Sequence, residues 1–224
     1  MAENKERKKK SREKDKIISQ AVVNRLPRYY RYLTDLINAG HYRISSSELS
    51  KKMNVTASQI RQDFNCFGGF GQQGYGYNVV YLHEEMGHIL GVDKKFTAII
   101  VGTGNLGTTL ANSGLFIKRG VYLKALFDIN PEIIGKKVAN LRVMDIKDAP
   151  EYCRSKKIDI AVLTLPKDES EPAAKILADA GVKGFWNFSN MEIKIEKDGI
   201  KVENIHMGDS LMTLCYALAM ENNN

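Results

Sequence analysis

A short apolar run that breaks at once into a glycine loop limits this chain more than any other feature. Phe96–Val101 is almost continuously apolar, and Gly102-Thr103-Gly104-Asn105-Leu106-Gly107 follows without a spacer. An apolar run of this kind suits a strand covered on both faces, as in a parallel sheet. The three glycines have separate physical tasks at this spacing. Gly102 makes the tight turn, Gly104 lets the backbone approach a ligand closely, and Gly107 lets the following helix sit against the strand. Leu106, Leu110 and Leu115-Phe116 give that helix its apolar positions.

The order continues in the same sense. Val121–Phe127 reads as a second strand, and Asp128, followed by Ile129, ends it 21 residues past Gly107. A carboxylate there can accept a hydrogen bond from an adenine-ribose 2′-hydroxyl and would repel a 2′-phosphate. Strand, loop, helix, strand and acid together predict an α/β Rossmann domain, a doubly wound parallel sheet, that binds NAD(H) rather than NADP(H). Strands at Leu141–Val143, Ile158–Leu165 and Gly184–Phe188 alternate with helices near Asp148–Arg154 and Ala173–Ala180. Thr164-Leu165-Pro166 and Asn187-Phe188 then fall at carboxyl ends of strands, the crevice where open sheets bind ligands. A hairpin around Lys197-Asp198-Gly199 leads to a last helix, Asp209–Met220, whose apolar stripe must pack on its own sheet or on a partner.

The amino-terminal third carries a different signal. Residues 1–83 hold 15 Lys/Arg against 7 Asp/Glu, whereas residues 84–224 hold 18 against 19, so the excess positive charge lies at one end and suits a polyanion there. Leu26-Pro27 opens a helix that Gly40 stops. Ser45-Ser46-Ser47-Glu48 is a capping box, and Thr56-x-x-Gln59 reads as a second one. Ile60, Phe64 and Phe67 form one apolar stripe, and Ser58, Gln59, Arg61, Gln62 and Asn65 show a face rich in base-reading and phosphate-binding groups. This is the pattern of a helix-turn-helix. Directly behind it, Phe67–Tyr77 interleaves five glycines with aromatics. That segment reads as a wing, with Gln72, Gln73, Gly74 and Tyr75 able to enter a minor groove. The expected divisions are a disordered basic tail over 1–16, a winged-helix DNA-binding domain over 17–84, a Rossmann domain over 85–207 and a dimerisation helix over 208–224.

Other classes fit less well. Cys66, Cys153 and Cys215 are far apart, with no CxxC and no His at ligand spacing, which argues against a disulfide framework or a metal site and suits a reducing cytoplasm. No apolar run reaches membrane-spanning length, and the basic first sixteen residues have no signal-peptide core. Tyr152-x-x-x-Lys156 spells a dehydrogenase motif, but it lies too early in the fold and reads as a surface helix pair. Surface or capping roles are expected for His41, His83 and His88. About 120 residues remain after Gly102, too few for a separate substrate domain. Catalysis is therefore not expected. An NAD-dependent oxidoreductase with an accessory basic domain is the alternative from another class, and a regulator reading dinucleotide abundance rather than redox ratio is a third.

The stretch TASQIRQDFNCFGGFGQQGYGYNV (Thr56–Val79), the GTGNLG loop and FDINPEIIG (Phe127–Gly135) closely resemble the Rex redox-sensing transcriptional repressors, over roughly Arg25 to Leu218. The resemblance implies a cytoplasmic homodimer that binds an AT-rich inverted repeat in double-stranded operator DNA and represses fermentation and respiration genes. It implies that NADH favours release while NAD⁺ is compatible with binding, and that the last helix is swapped between subunits close to the nicotinamide. Many relatives carry Tyr where this chain has Ser113 and Asp where it has His206, which precedes Met207. Those groups, with an Arg matched by Arg25 between the domains, are associated with telling reduced from oxidised cofactor. The departures at Ser113 and His206 make the nicotinamide end the part of the pocket where this chain differs.

Overall fold

In the computed structural model the described residues are 18–67, 71–72 and 75–221. The chain falls into two units that meet in sequence between Asp93 and Lys94. The basic tail lies outside the described residues.

The first unit opens with α1 (Gln20–Val23) and α2 (Leu26–Asn38), the latter with Pro27 in its first turn, where a missing N–H costs nothing. Strand β1 (Arg43–Ile44) leads to α3 (Ser46–Met53), whose capping box is complete: Ser45 accepts from the Glu48 N–H and Glu48 reaches back to the Ser45 N–H. Asn54 takes the left-handed conformation and turns the chain sharply into α4 (Ala57–Asn65), capped by Thr56. The short strands β2 (Gly71–Gln72) and β3 (Gly76–Asn78) complete a three-stranded sheet of order β1-β3-β2 before α5 (Val79–Leu90). Leu26, Tyr29, Leu33, Leu49, Met53, Ile60, Phe64, Leu82 and Met86 form its core. A helix pair followed by a β2–β3 ribbon is the winged-helix arrangement. Leu82 and Met86, both fully buried here, carry all of α5 into this unit. The division therefore falls after Asp93, later than residue 84, where the sequence spacing put it.

The second unit is a seven-stranded sheet of order β10-β9-β8-β4-β5-β7-β6. Its strands are β4 (Phe96–Val101), β5 (Val121–Asp128), β6 (Lys137–Val138), β7 (Leu141–Asp145), β8 (Ile160–Leu163), β9 (Gly184–Asn187) and β10 (Lys201–Asn204). All neighbours run parallel except β6, which returns antiparallel along β7. Helices α6 (Asn105–Asn112), α7 (Ala149–Lys156) and α8 (Lys167–Asp179) cross between strands, and α9 (Met207–Glu221) ends the described chain. Two apolar layers flank the sheet, one around Ile99, Val101, Phe127 and Leu163, the other around Ile100, Leu126 and Val162. Strand order reverses at β4, which has β5 on one side and β8 on the other. The carboxyl end of β4 is thus the switch point of a doubly wound sheet.

Two elements differ from expectation. Lys197-Asp198-Gly199 forms a turn but not a hairpin, because β10 runs parallel to β9, with Lys201 beside Gly184 and Asn204 beside Asn187. Helix α8 begins at Lys167, upstream of the expected Ala173, and keeps Pro172 inside it at the loss of one backbone hydrogen bond. Helix α9 buries no residue: Leu211, Met212, Leu214, Tyr216 and Leu218 are each more than half exposed.

A side chain at Gly107 has no room. Its Cβ would stand 2.0 Å from the Gly102 carbonyl oxygen and 2.9 Å from Thr164 Oγ1, whereas a Cβ on Gly104 would meet nothing within 4 Å. Gly107→Ala is expected to destabilise the second unit by about 3 kcal/mol, the upper end of the range for overpacking. Gly104→Ala should leave the urea midpoint nearly unchanged, and equal midpoints for the two variants would refute the packing role of Gly107.

Candidate functional sites: a dinucleotide cradle and a groove-reading helix

The glycine loop is held from both neighbouring strands. Gly102 has a φ of +94°, and its backbone passes so close to β8 that a Cβ would lie 2.6 Å from the Thr164 carbonyl. Thr164 Oγ1 donates to the Gly102 carbonyl at 2.6 Å. From the β5 side, Asp128 accepts from both the N–H and the hydroxyl of Thr103, and from the Asn130 N–H at 2.9 Å. Burial works against its charge, but these hydrogen bonds win and hold its carboxyl below the usual range. Asp128 is 8% exposed, so its first task is to brace the loop, and little of its acceptor capacity remains for the ribose hydroxyl that the sequence assigned to it. Ile129, next to it, is exposed.

Gly104 caps α6 without a side chain. The first amides of a helix lack partners within it, and here they follow a position where a Cβ has open space. Asn105 and Leu106 lie in that first turn. This is the geometry that admits a pyrophosphate to backbone N–H groups. The residues present fit a dinucleotide.

Farther across the sheet the carboxyl ends line up. Thr164 N–H bonds to Val101 O at 3.0 Å, Phe188 N–H to Leu163 O at 2.9 Å, and Ile205 N–H to Asn187 O at 2.8 Å. Thr164-Leu165-Pro166, Asn187-Phe188 and His206-Met207 therefore follow one another along that edge. Asn187 is 1% exposed and its amide is engaged, donating to Met191 O and Asn204 Oδ1 and accepting from the Ser189 N–H, so it shapes the loop rather than facing a ligand. Ser113 caps the end of α6, its Oγ donating to Leu110 O at 2.7 Å. A surface cleft of about 360 Å³ lined by Cys153, Arg154, Lys157 and Lys183 opens at the opposite, amino-terminal end of the strands, away from this crevice. Burial there pushes the Cys153 thiol up to about 11, leaving it unreactive. Tyr152 of the YxxxK run donates its hydroxyl to Lys124 O at 3.2 Å, a structural contact.

On α4, Ser58, Arg61, Gln62 and Asn65 are exposed at i, i+3, i+4 and i+7, one continuous face. Arg61 Nη1 donates to Ser46 Oγ at 3.0 Å. Gln59 is placed otherwise than expected. Its backbone N–H completes the Thr56 cap, but its side chain donates to Asp63 Oδ1 at 2.9 Å instead of returning to the cap or facing outward. Tyr75 is 70% exposed. Gln72 lies in β2, and Gln73 and Gly74 fall outside the described residues.

Asp63 is the residue that sequence reasoning missed. It is fully buried on the apolar stripe of α4 and accepts from Arg25 Nε at 2.7 Å, Arg25 Nη2 at 2.8 Å, Tyr29 Oη at 2.8 Å and Gln59. Arg25, matched through the resemblance to an interdomain sensor, is thus tied inside the first unit. Burial opposes the Asp63 charge, but the bonds from Arg25, Gln59 and Tyr29 hold its carboxyl below the usual range, and burial with the bond to Asp63 raises the Tyr29 phenol. The signal was present in the sequence: an Asp between Ile60 and Phe64, on a stripe that must be buried, requires cationic and hydroxyl partners. His83 is half-buried, stacked on Tyr30 at 4.2 Å between ring centres and 3.0 Å from Thr34 Oγ1, while His88 Nδ1 meets Asp93 Oδ2 at 2.8 Å.

Comparison with known proteins finds matches in both units. Residues 17–65 match the family described as "Putative DNA-binding protein N-terminus", and residues 93–191 match the CoA binding domain. A protein of Thermoanaerobacter sp. (strain X514), Redox-sensing transcriptional repressor Rex, is 51% identical over 208 residues, 93% of this chain and 92% of its own length. Its namesake from Clostridioides difficile (strain 630) is 49% identical over 204 residues, 91% of this chain and 97% of its own. The chain belongs to the Rex family. Among solved Rex-family structures, RSP in complex with beta-NAD+ and operator DNA superposes with a TM-score of 0.86 at 50% identity, covering 93% of this chain and 95% of RSP. RSP in complex with beta-NADH gives the same TM-score at 47% identity, covering 93% and 97%.

The Asp63 network makes the first unit sensitive to acid. A carboxyl held low in the folded state stabilises fully above its ordinary value of 3.8, and that stability is lost as pH falls through the lower folded value. Asp63→Asn should cost about 1–3 kcal/mol near neutral pH, a figure reduced because the Arg25 side chain is 28% exposed to solvent. It should also flatten the acid limb of stability below about pH 4. An unchanged acid limb in thermal melts would show that Asp63 does not carry it.

Proposed function

We propose that this Rex-family repressor binds operator DNA as a homodimer through the exposed face of α4 and the wing, and is released when NADH occupies the glycine cradle. Family membership makes the chain a redox-sensing transcriptional repressor rather than an enzyme. The single observation that carries the NADH reading is the loop itself: open space at Gly104, no space at Gly107, and the helix amides between them. RSP has been solved with beta-NAD+ and operator DNA, and with beta-NADH, which supports the same pair of ligands here. Ser58, Arg61, Gln62 and Asn65 are the groove-reading residues of this proposal, and Tyr75 of the wing reaches the minor groove of an AT-rich inverted repeat. Such a regulator works in the cytoplasm, where its DNA lies. No helix among the described residues is long and apolar enough to cross a membrane. No metal is part of the proposal.

The second copy is inferred from α9. Its apolar side chains are exposed along the whole helix, and an isolated helix of its 15 residues is marginal in water. A homodimer in which each copy covers the other's α9 removes that surface and brings a partner helix next to His206 and Met207. Two recognition helices must stand about 34–36 Å apart to read a palindrome, so movement through such a contact alters DNA fit.

Titrating an operator complex in parallel with NADH and NAD⁺ tests the reading: NADH should dissociate it at concentrations where NAD⁺ does not. Equal release by both ligands would favour a sensor of dinucleotide abundance. Gly104→Val should fill the space a pyrophosphate needs, leaving operator affinity unchanged and abolishing the response to NADH. Retained NADH binding by calorimetry would refute the cradle. Removing residues 209–224 should weaken self-association and eliminate NADH-driven release. A truncated chain that sediments as a dimer and still leaves DNA with NADH would rule out α9 as the coupling element.

A further inference from the structure

The exposed face of α4 is not uniform. Among the described residues, the side chains of Ser58, Gln62 and Asn65 make no hydrogen bond, whereas Arg61 Nη1 donates to Ser46 Oγ at 3.0 Å. Ser46 opens α3, directly after the Ser45 cap. The complete capping box fixes that first turn, and a serine hydroxyl has a single heavy-atom torsion, so the acceptor stands at a defined place. Strand β1 leads into the same turn and pairs Ile44 with Tyr77 of β3. Burial raises the Tyr77 phenol, and the Arg61 charge offsets part of that rise, so the guanidinium lies near the base of the wing as well. Arg61 is thus held where α3, α4 and β3 meet.

A guanidinium is planar, and its five N–H groups point in fixed directions. With Nη1 engaged by Ser46, the Nε–Nη2 edge still presents two parallel donors, the geometry that matches the O6 and N7 acceptors of a guanine. An unrestrained arginine on a helix surface samples many rotamers and loses that freedom on binding. One already held in a single orientation has less to lose.

We propose that Ser46 is a positioning residue for sequence reading. By holding Nη1 it turns the Nε–Nη2 edge of Arg61 toward one base pair in the major groove, and so sets part of the operator specificity without touching a base. This rests on the DNA reading of α4 given above.

The test is fluorescence anisotropy of the full chain, free of dinucleotide, on three kinds of duplex. These are the operator crystallised with RSP, copies of it with each base pair changed singly, and an unrelated duplex of equal length. Arg61→Ala identifies the base pair that Arg61 reads, as the one whose change no longer weakens binding. Ser46→Ala should bind the operator about 3- to 10-fold more weakly, as loss of a single hydrogen bond predicts. The penalty for changing that same base pair, about 5- to 150-fold for a well-seated bidentate contact, should shrink by the same factor. Binding to the unrelated duplex should not change, which also verifies folding. Alanine is a good helix former and the Ser45 cap is untouched, so α3 should persist. Combined with Arg61→Ala, Ser46→Ala should cost nothing further. Ser46→Thr, which keeps the hydroxyl, should restore the specificity.

Equal losses on the operator and the unrelated duplex would make Ser46 a phosphate contact, and a loss that persists without Arg61 would make it independent of that side chain. Either result overturns the proposal, as would unchanged or tighter operator binding by Ser46→Ala. If Arg61→Ala itself binds the operator like the unaltered chain, the DNA reading of α4 fails and the proposal with it.

Discussion

The carboxyl end of the large sheet depends on a contact that only a hydrogen atom permits, between Gly107 and the carbonyl of Gly102. It lets α6 start directly over β4, so the first amides of that helix point into the crevice where strand order reverses. The loop is then pinned from two sides. Thr164 hydrogen-bonds it from β8, and Asp128 hydrogen-bonds it from β5. A frame fixed in this way needs little reorganisation when an anion enters, which is how backbone dipoles become effective ligands.

The first unit depends on a buried charge. Asp63 sits where an apolar residue would pack with less desolvation, because burying an ion pair is expensive even when its geometry is good. Apolar stripes, however, tolerate small sliding motions. Three directed hydrogen bonds from Arg25 and Tyr29 set the rotation of α4 against α2, and with it the direction of Ser58, Arg61, Gln62 and Asn65, while Gln59 holds the same carboxylate from within α4. Tyr29 also packs edge-on to Phe64, and Phe64 edge-on to Tyr77 of β3, so the same cluster reaches the wing. The polar network and the aromatic cluster together orient the exposed polar face of α4.

Much of this was legible because local rules decided it. Glycine spacing behind a buried strand gives the cradle, and two capping residues with an apolar stripe give α3 and α4 with their turn. What escaped was decided at a distance. Asp128 ends β5 in the expected place, but spacing does not reveal that the carboxylate would turn onto Thr103, 25 positions away. Gln59 looked like a base reader until Asp63 claimed it. The Lys197–Gly199 turn looked like a hairpin because turn chemistry is local, whereas parallel pairing of β10 with β9 depends on the whole sheet edge. Burial of α5 in the first unit follows from Leu82 and Met86 meeting side chains far back in sequence, which no period can signal.

Helix α9 has a consequence for how the chain behaves as its abundance changes. A helix that buries none of its own residues draws its order from whatever covers it. Ordering and capture are then a single equilibrium governed by mass action, and its midpoint moves with the amount of covering surface available. Were that surface a second copy, as in the homodimer proposed above, the number of molecules present would enter the folding free energy of the last element, and its exposure to proteases would fall as the chain became more abundant.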